Sequence, residues 1–246
     1  MGSMTKFGFG ILVLFGAWKL FLAPSQIQVD VPYPLKYRTQ IVGSASSGDR
    51  LPLLIALHGD GANEKDLDGV FADFTTPVRI VSFRGPERSG SGYVWSRGQG
   101  TTRQEAEAAE QQMFREVADS IALGATELAA RFPTEGKPMV FGFSRGASMA
   151  WYLGAHHPER FDAIFAVAGE LDEELLEGLA PARRPPFFAY HGRKDPVVGM
   201  RRGQRTAEAI ERLAGRVSFE EFDGGHTVPP SVREDVQRQI RNLRGS

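Results

Sequence analysis

Three residues far apart in the chain have the types and the order that suit acyl transfer: Ser144, Asp195 and His226. A serine hydroxyl is a weak nucleophile alone. It needs a base to take its proton, an acid to orient that base, and N–H donors to hold the oxyanion that forms. Ser144 stands in Gly142-Phe143-Ser144-Arg145-Gly146, between an apolar run over residues 139–143 and a helix-like run over 147–157. Strand, sharp turn and helix, with a serine at the apex, is the context in which Gly-x-Ser-x-Gly exposes a nucleophile. The glycines suit a turn where strand and helix pass close together. The bare pattern also occurs in ordinary loops, so the flanking elements and the partners carry the reading.

His226 sits in Gly224-Gly225-His226, directly after a strand predicted over 217–222, and is the candidate base. The other four histidines read as structural: His156 and His157 end the helix after Ser144, and His58 and His191 precede glycines at strand ends. Asp195 and Asp172 compete as the orienting acid. The setting His191-Gly192-Arg193-Lys194-Asp195-Pro196-Val197-Val198 favours Asp195. The backbone N–H groups of Asp60 and Arg145 are the candidate oxyanion donors; this use asks nothing of the Arg145 side chain. Tyr93 and Trp95, in the glycine-rich loop 84–101, are candidate substrate-binding walls, with a core position as the alternative for Trp95.

Positioning these groups falls to an alternation of strands and helices. Strands are predicted over 37–42, 51–57, 78–83, 139–143, 161–167, 187–191 and 217–222. Helices are predicted over 102–131, 147–157, 203–214 and 229–243. Thr102 with Glu105 forms a capping box, Gly124 marks a break in the long helix, and proline opens the last helix. The central strands are continuous apolar runs, as expected of strands buried on both faces. The fold class is α/β, a doubly wound, mostly parallel sheet. In such sheets chemistry sits beyond the C-terminal ends of the strands, and residues 58–61, Ser144, Asp195 and His226 all fall there. The connector 169–186 has room for one helical turn and none for a large cap, so the site is expected to be open.

A chain of 246 residues fits one α/β domain with a short extension. The net charge of −1 gives no pull toward nucleic acid. The absence of cysteine excludes disulfides, thiolate–metal sites and a cysteine nucleophile. Residues 1–3 and the final Gly245-Ser246 read as cloning remnants. Residues 4–24 form a hydrophobic segment, 25–35 a linker and 36–246 the catalytic domain. The run 7–23 is apolar on all faces, with only Lys19 charged within it. It is read as an anchor in contact with a membrane, at the lower limit of a spanning length, or as a signal peptide. The remaining reading is an N-terminal hydrophobic helix packed on protein in the cytoplasm. The first two would place the protein at a membrane or outside the cell. Oligomeric state is not readable.

The motifs together resemble the phospholipase/carboxylesterase branch of the α/β-hydrolases, which includes the acyl-protein thioesterases. The matching pieces are Leu57-His58-Gly59-Asp60-Gly61, Gly92-Tyr93-Val94-Trp95, Gly142-Phe143-Ser144-Arg145-Gly146, His191 to Val198 and Gly224-Gly225-His226. The resemblance implies hydrolysis of a small-molecule or lipid-like acyl ester or thioester through an acyl-enzyme, with no cofactor and no metal. A peptidase, a polyester depolymerase and a catalytically silent binding scaffold are the competing readings. The chain departs from the family's pattern in two places: Arg145 stands where glutamine is usual after the nucleophile, and Ser96-Arg97 where Phe-Asp usually follows the tryptophan. Both bear on substrate choice.

Overall fold

The computed structural model describes residues 25–26 and 31–245. Eight strands form one sheet: β1 (Ser25–Gln26), β2 (Lys36–Val42), β3 (Leu53–Leu57), β4 (Val78–Phe83), β7 (Met139–Phe143), β8 (Ala163–Val167), β9 (Pro186–Gly192) and β10 (Arg216–Phe222), in the spatial order β1-β2-β4-β3-β7-β8-β9-β10. A separate hairpin, β5 (Glu87–Ser89) and β6 (Gly92–Val94), lies in the segment after β4. From β4 to β10 every neighbouring pair is parallel; β1 and β2 run antiparallel at one edge.

The parallel strands are covered on both faces because both faces are apolar. Leu53, Ile55, Leu57, Val140 and Ile164 point to one side, against α2 (Arg103–Arg131), α3 (Arg145–His156) and α4 (Met200–Arg212). Leu54, Ala56, Met139, Phe141 and Phe165 point to the other, against α1 (Asp68–Phe71) and α5 (Pro230–Arg244). Alternate residues of one strand thus feed two cores, as a period of two requires. The centre of the first core is α3, buried from Gly146 to Ala155. Its Trp151 is stacked on Phe187 with ring centroids 5.2 Å apart.

The predicted architecture and most strand positions agree with this fold. The capping box is present: the Glu105 N–H donates to Thr102 Oγ1, and Glu105 Oε2 accepts from the Thr102 N–H. Three details differ. Helix α2 runs unbroken through Gly124, which is buried; the cost of about 1 kcal/mol for a helical glycine is overridden by packing. Helix α3 begins at Arg145, because the serine itself supplies the turn. The segment 84–101 holds the hairpin, whose Gly92 lies so near Gly61 that a Cβ would meet its carbonyl oxygen at 1.8 Å. The hydrophobic segment 4–24, read as an N-terminal helix, lies outside the described residues. Within the segment 25–35, Ser25–Gln26 pair with β2. Among the described residues no helix is long and apolar enough to cross a membrane.

Trp151 is 1% exposed. Trp151→Ala should cost about 3–5 kcal/mol and lower the midpoint of thermal unfolding by roughly 6–20 °C. Calorimetry on the purified variant checks this.

Candidate active site

Ser144 lies between the last residue of β7 and the first of α3, with φ 55° and ψ −121°. A non-glycine residue rarely holds this conformation, which costs of order 1–3 kcal/mol. Packing imposes it. A Cβ on Gly142 would sit 2.1 Å from the Gly146 carbonyl oxygen, and one on Gly146 would sit 2.2 Å from that of Leu57. The Ser144 N–H donates to the Val167 carbonyl at 3.0 Å, which ties the turn to the end of β8.

His226 and Asp195 come from the loops after β10 and β9, and the structure brings them together. His226 Nδ1 lies 2.8 Å from Asp195 Oδ2. Asp195 Oδ1 accepts from the N–H groups of Val197 at 2.8 Å and Val198 at 3.0 Å. Burial works to raise the Asp195 carboxyl, but the His226, Val198 and Val197 hydrogen bonds outweigh it and hold the group below the usual carboxylate range. The two loops are stitched to each other: Lys194 N–H donates to Gly224 and Arg193 N–H to Phe222. Gly192 is pressed against Gly224 and Gly225, with no room for a Cβ. On the Ser144 side, the Phe143 ring packs on the His226 imidazole, centroids 4.8 Å apart. Asp172 does not touch His226; it lies exposed before a 3₁₀ turn over Glu173–Leu176.

Of the remaining histidines only His191 comes near Asp195, with Nε2 3.5 Å from Oδ2. His58 is buried: its Nε2 accepts from the Gly85 N–H at 3.0 Å, so its Nδ1 carries the proton toward the Gly59 carbonyl, 2.7 Å away. Burial lowers its pKa, in keeping with the neutral ring. His191 Nε2 approaches Val198 O at 2.8 Å beneath Asp195, His156 Nε2 meets Leu175 O, and His157 pairs with Asp119.

The loop after β3 brings Gly59 against the serine: a Cβ on Gly59 would stand 3.2 Å from Ser144 Cβ. The Gly61 N–H is taken by Tyr93 and that of Ala62 by Gly59, whereas the Asp60 N–H has no backbone partner among the described residues. The Arg145 N–H opens α3, where no preceding turn offers an acceptor. Asp60, Ser144 and Arg145 line one cavity of about 250 Å³.

Tyr93 and Trp95 do not line that cavity. Trp95 is fully buried; its Nε1–H donates to the His58 carbonyl at 2.8 Å, and its ring lies 4.7 Å from that of His58. It supports the loop rather than a substrate. Tyr93 pairs with the same loop and carries the Arg84 guanidinium over its ring. The cavity is walled instead by Arg145, Glu170, Asp172 and Arg202. Arg202 pairs with Glu170, and burial pushes the Glu170 carboxyl up against that pull. Arg145 lies over the Phe114 ring, 4.7 Å from its centroid, and its Nη2 donates to Glu110 Oε1 at 2.9 Å and to Ser96 Oγ at 3.3 Å. No signal in the sequence predicts these pairs, because Glu110, Arg145 and Arg202 sit on different helices. Among the described residues no group of three or more His, Asp or Glu side chains is placed to hold a metal ion.

Comparison with known proteins agrees with this architecture. Over 106 residues the chain is 26% identical to Acyl-protein thioesterase 1 of Gibberella zeae, a match covering 41% of this chain and 45% of that protein. The match to Acyl-protein thioesterase 1 of Aspergillus fumigatus is also 26% identical, over 109 residues, 42% of this chain and 45% of that protein. These matches span less than half the length of the curated relatives. Among solved structures, a carboxylesterase from Mesorhizobium loti superposes with a TM-score of 0.70 at 17% identity, covering 88% of this chain and 98% of that one. Esterase PE8 superposes with a TM-score of 0.68 at 24% identity, covering 84% and 99%. At such identities the structural likeness is one of fold. The family described as Phospholipase/Carboxylesterase matches residues 44–244, from the turn before β3 to the end of α5, and the chain belongs to it.

Proposed function

We propose that the protein hydrolyses carboxylic esters or thioesters through a covalent acyl-enzyme on Ser144. The observation that carries this reading is the His226–Asp195 hydrogen bond of 2.8 Å, placed beyond the same ends of the strands as the strained serine turn. His226, with Nδ1 engaged by Asp195, keeps Nε2 as the acceptor for the Ser144 proton. The Ser144 Oγ then attacks the acyl carbon, and the carbonyl electrons move onto oxygen. The Asp60 and Arg145 N–H groups receive that oxyanion; each such donor is worth about 3–4 kcal/mol in the transition state. His226 returns the proton to the departing alcohol or thiol, the acyl–oxygen or acyl–sulfur bond breaks, and water repeats the cycle on the acyl-serine. Asp195 holds the imidazole tautomer and stabilises its charged form. Its carboxyl is held in the ionised state by its hydrogen bonds, so it serves this purpose without taking the proton itself.

Ser144→Ala should cut kcat by roughly 10⁶-fold with the fold retained. Intact mass after exposure to a fluorophosphonate should show one adduct on the wild type and none on the variant. An adduct on Ser144→Ala would remove the serine from its proposed role. Asp195→Asn should lower kcat about 10⁴-fold by releasing the imidazole tautomer, while Asp172→Asn should stay near wild type. Steady-state kinetics on a short p-nitrophenyl ester measures both, and the reverse pattern would exchange the acids.

A further inference from the structure

Two cavities meet beside Ser144. The one of about 250 Å³ touches the serine. The next, about 650 Å³, continues along α2 and has Phe114 and Leu175 in its lining. They share Arg145, Asp172 and Arg202. His226 lines neither of them. A leaving group must face His226 to receive its proton, so the acyl group of a bound ester must run the opposite way, into the cavity beside Ser144 and toward its boundary with the larger one. The Arg145 guanidinium lies at that boundary. It rests on the flat of Phe114 and is latched to Glu110 and Ser96.

We propose that the latched Arg145 side chain is the specificity-determining partition of this cleft, confining the acyl group to a short one such as acetyl or butyryl. The inference rests on the ester-hydrolase reading of Ser144. Its physical basis is desolvation. The Arg145 and Glu110 side chains keep 26% and 44% of their surface exposed, so the pair is still in contact with water. An apolar chain pushed past it would strip that water from two charges without offering a hydrogen bond in return. To go further the chain must displace the guanidinium from Phe114. Phe114 and Leu175 are the apolar part of a larger cavity otherwise lined by polar and charged side chains, so removing the guanidinium uncovers an apolar face along which a longer chain can lie. One guanidinium nitrogen meets both Glu110 and Ser96 while the central carbon lies over the Phe114 ring; a lysine ammonium can meet the same two oxygens but, as a compact and strongly hydrated charge, covers less of the ring. Glu110 and Ser96 act through Arg145 and are positioning residues.

The test is kcat/KM on p-nitrophenyl acetate, butyrate, octanoate and decanoate for wild type, Arg145→Gln, Arg145→Lys and Glu110→Gln, with Ser144→Ala as the background. Wild type should fall steeply between butyrate and octanoate. Arg145→Gln and Glu110→Gln should raise the octanoate-to-acetate ratio by roughly tenfold or more, with the gain mainly in KM for the long ester. Arg145→Lys should lie between. General loosening of the structure would lower activity on all four esters together and leave the ratio unmoved. An unmoved ratio in both Arg145→Gln and Glu110→Gln, with Ser144-dependent turnover intact, overturns the partition, as does a wild type that already prefers octanoate. Should Arg145→Gln fail to fold, Glu110→Gln, at a half-exposed helical position, decides the matter alone. Absence of Ser144-dependent turnover of every ester, together with absence of a fluorophosphonate adduct, overturns the hydrolase reading and the partition with it.

Discussion

The structure depends on one strained residue. Ser144 holds φ 55° because three backbones converge on it, leaving no space for side chains at Gly142, Gly146 or Gly169. A Cβ at Gly169 would stand 2.6 Å from the serine's own carbonyl oxygen, and one at Gly146 would enter the end of β3. The turn is therefore fixed from three sides: by β7 below it, by β3 beside it and by the β8 exit over it. The strain of a few kcal/mol at most is small against the packing of α3, which buries ten consecutive residues between strands and neighbouring helices. A helix held that firmly cannot rotate to relax the turn at its own first residue. Ala168, with φ 53°, repeats the situation one strand away, turning the chain from β8 across the elbow.

The second constraint is the coupling of two loops that are 31 residues apart. Strands β9 and β10 pair in register from Pro186 and Arg216 up to Gly192 and Phe222. The ladder then continues past the strand ends through the bonds of Arg193 to Phe222 and of Lys194 to Gly224. Asp195 and His226 thus leave a common scaffold, and their separation is set by strand pairing before either side chain is considered. The carboxylate is satisfied on one oxygen by two backbone N–H groups and on the other by the imidazole. An aspartate with no side-chain exposure is tolerable only under such full hydrogen bonding.

How much of this could be read from the sequence follows from how local each determinant is. Ser144, Asp195 and His226 could be singled out as candidates because each lies at or shortly after the end of a predicted strand and among glycines or a proline, which are local signals. The sheet was legible for the same reason: runs such as Leu53–Leu57 and Ala163–Val167 are buried on both faces and read as such. The place of Trp95 was not legible. Whether an indole near a glycine-rich loop faces substrate or core is decided by the β5–β6 hairpin and by the His58 carbonyl that takes its N–H, and both are tertiary facts. The charged walls were hidden likewise. Arg145 finds Glu110 and Ser96 across 35 and 49 residues of chain, a separation at which periodicity carries no information. The segment 4–24 was read from hydropathy alone and lies outside the described residues.

In the proposed reading Arg145 serves two functions that a single residue can carry independently. Its backbone N–H is placed by the first turn of α3 and would be there for any residue that can start a helix. The backbone requirement therefore sets almost no condition on the side chain. The side chain is placed by something else, the Phe114 ring and the Glu110 carboxylate on α2. Substituting it changes what lines the cleft without moving the donor. In this chain the wall is an ion pair anchored on an aromatic face. Ser96, one of the residues that depart from the family's pattern, accepts a hydrogen bond from Arg145, the other. Two departures that looked independent in the sequence are one contact in the fold.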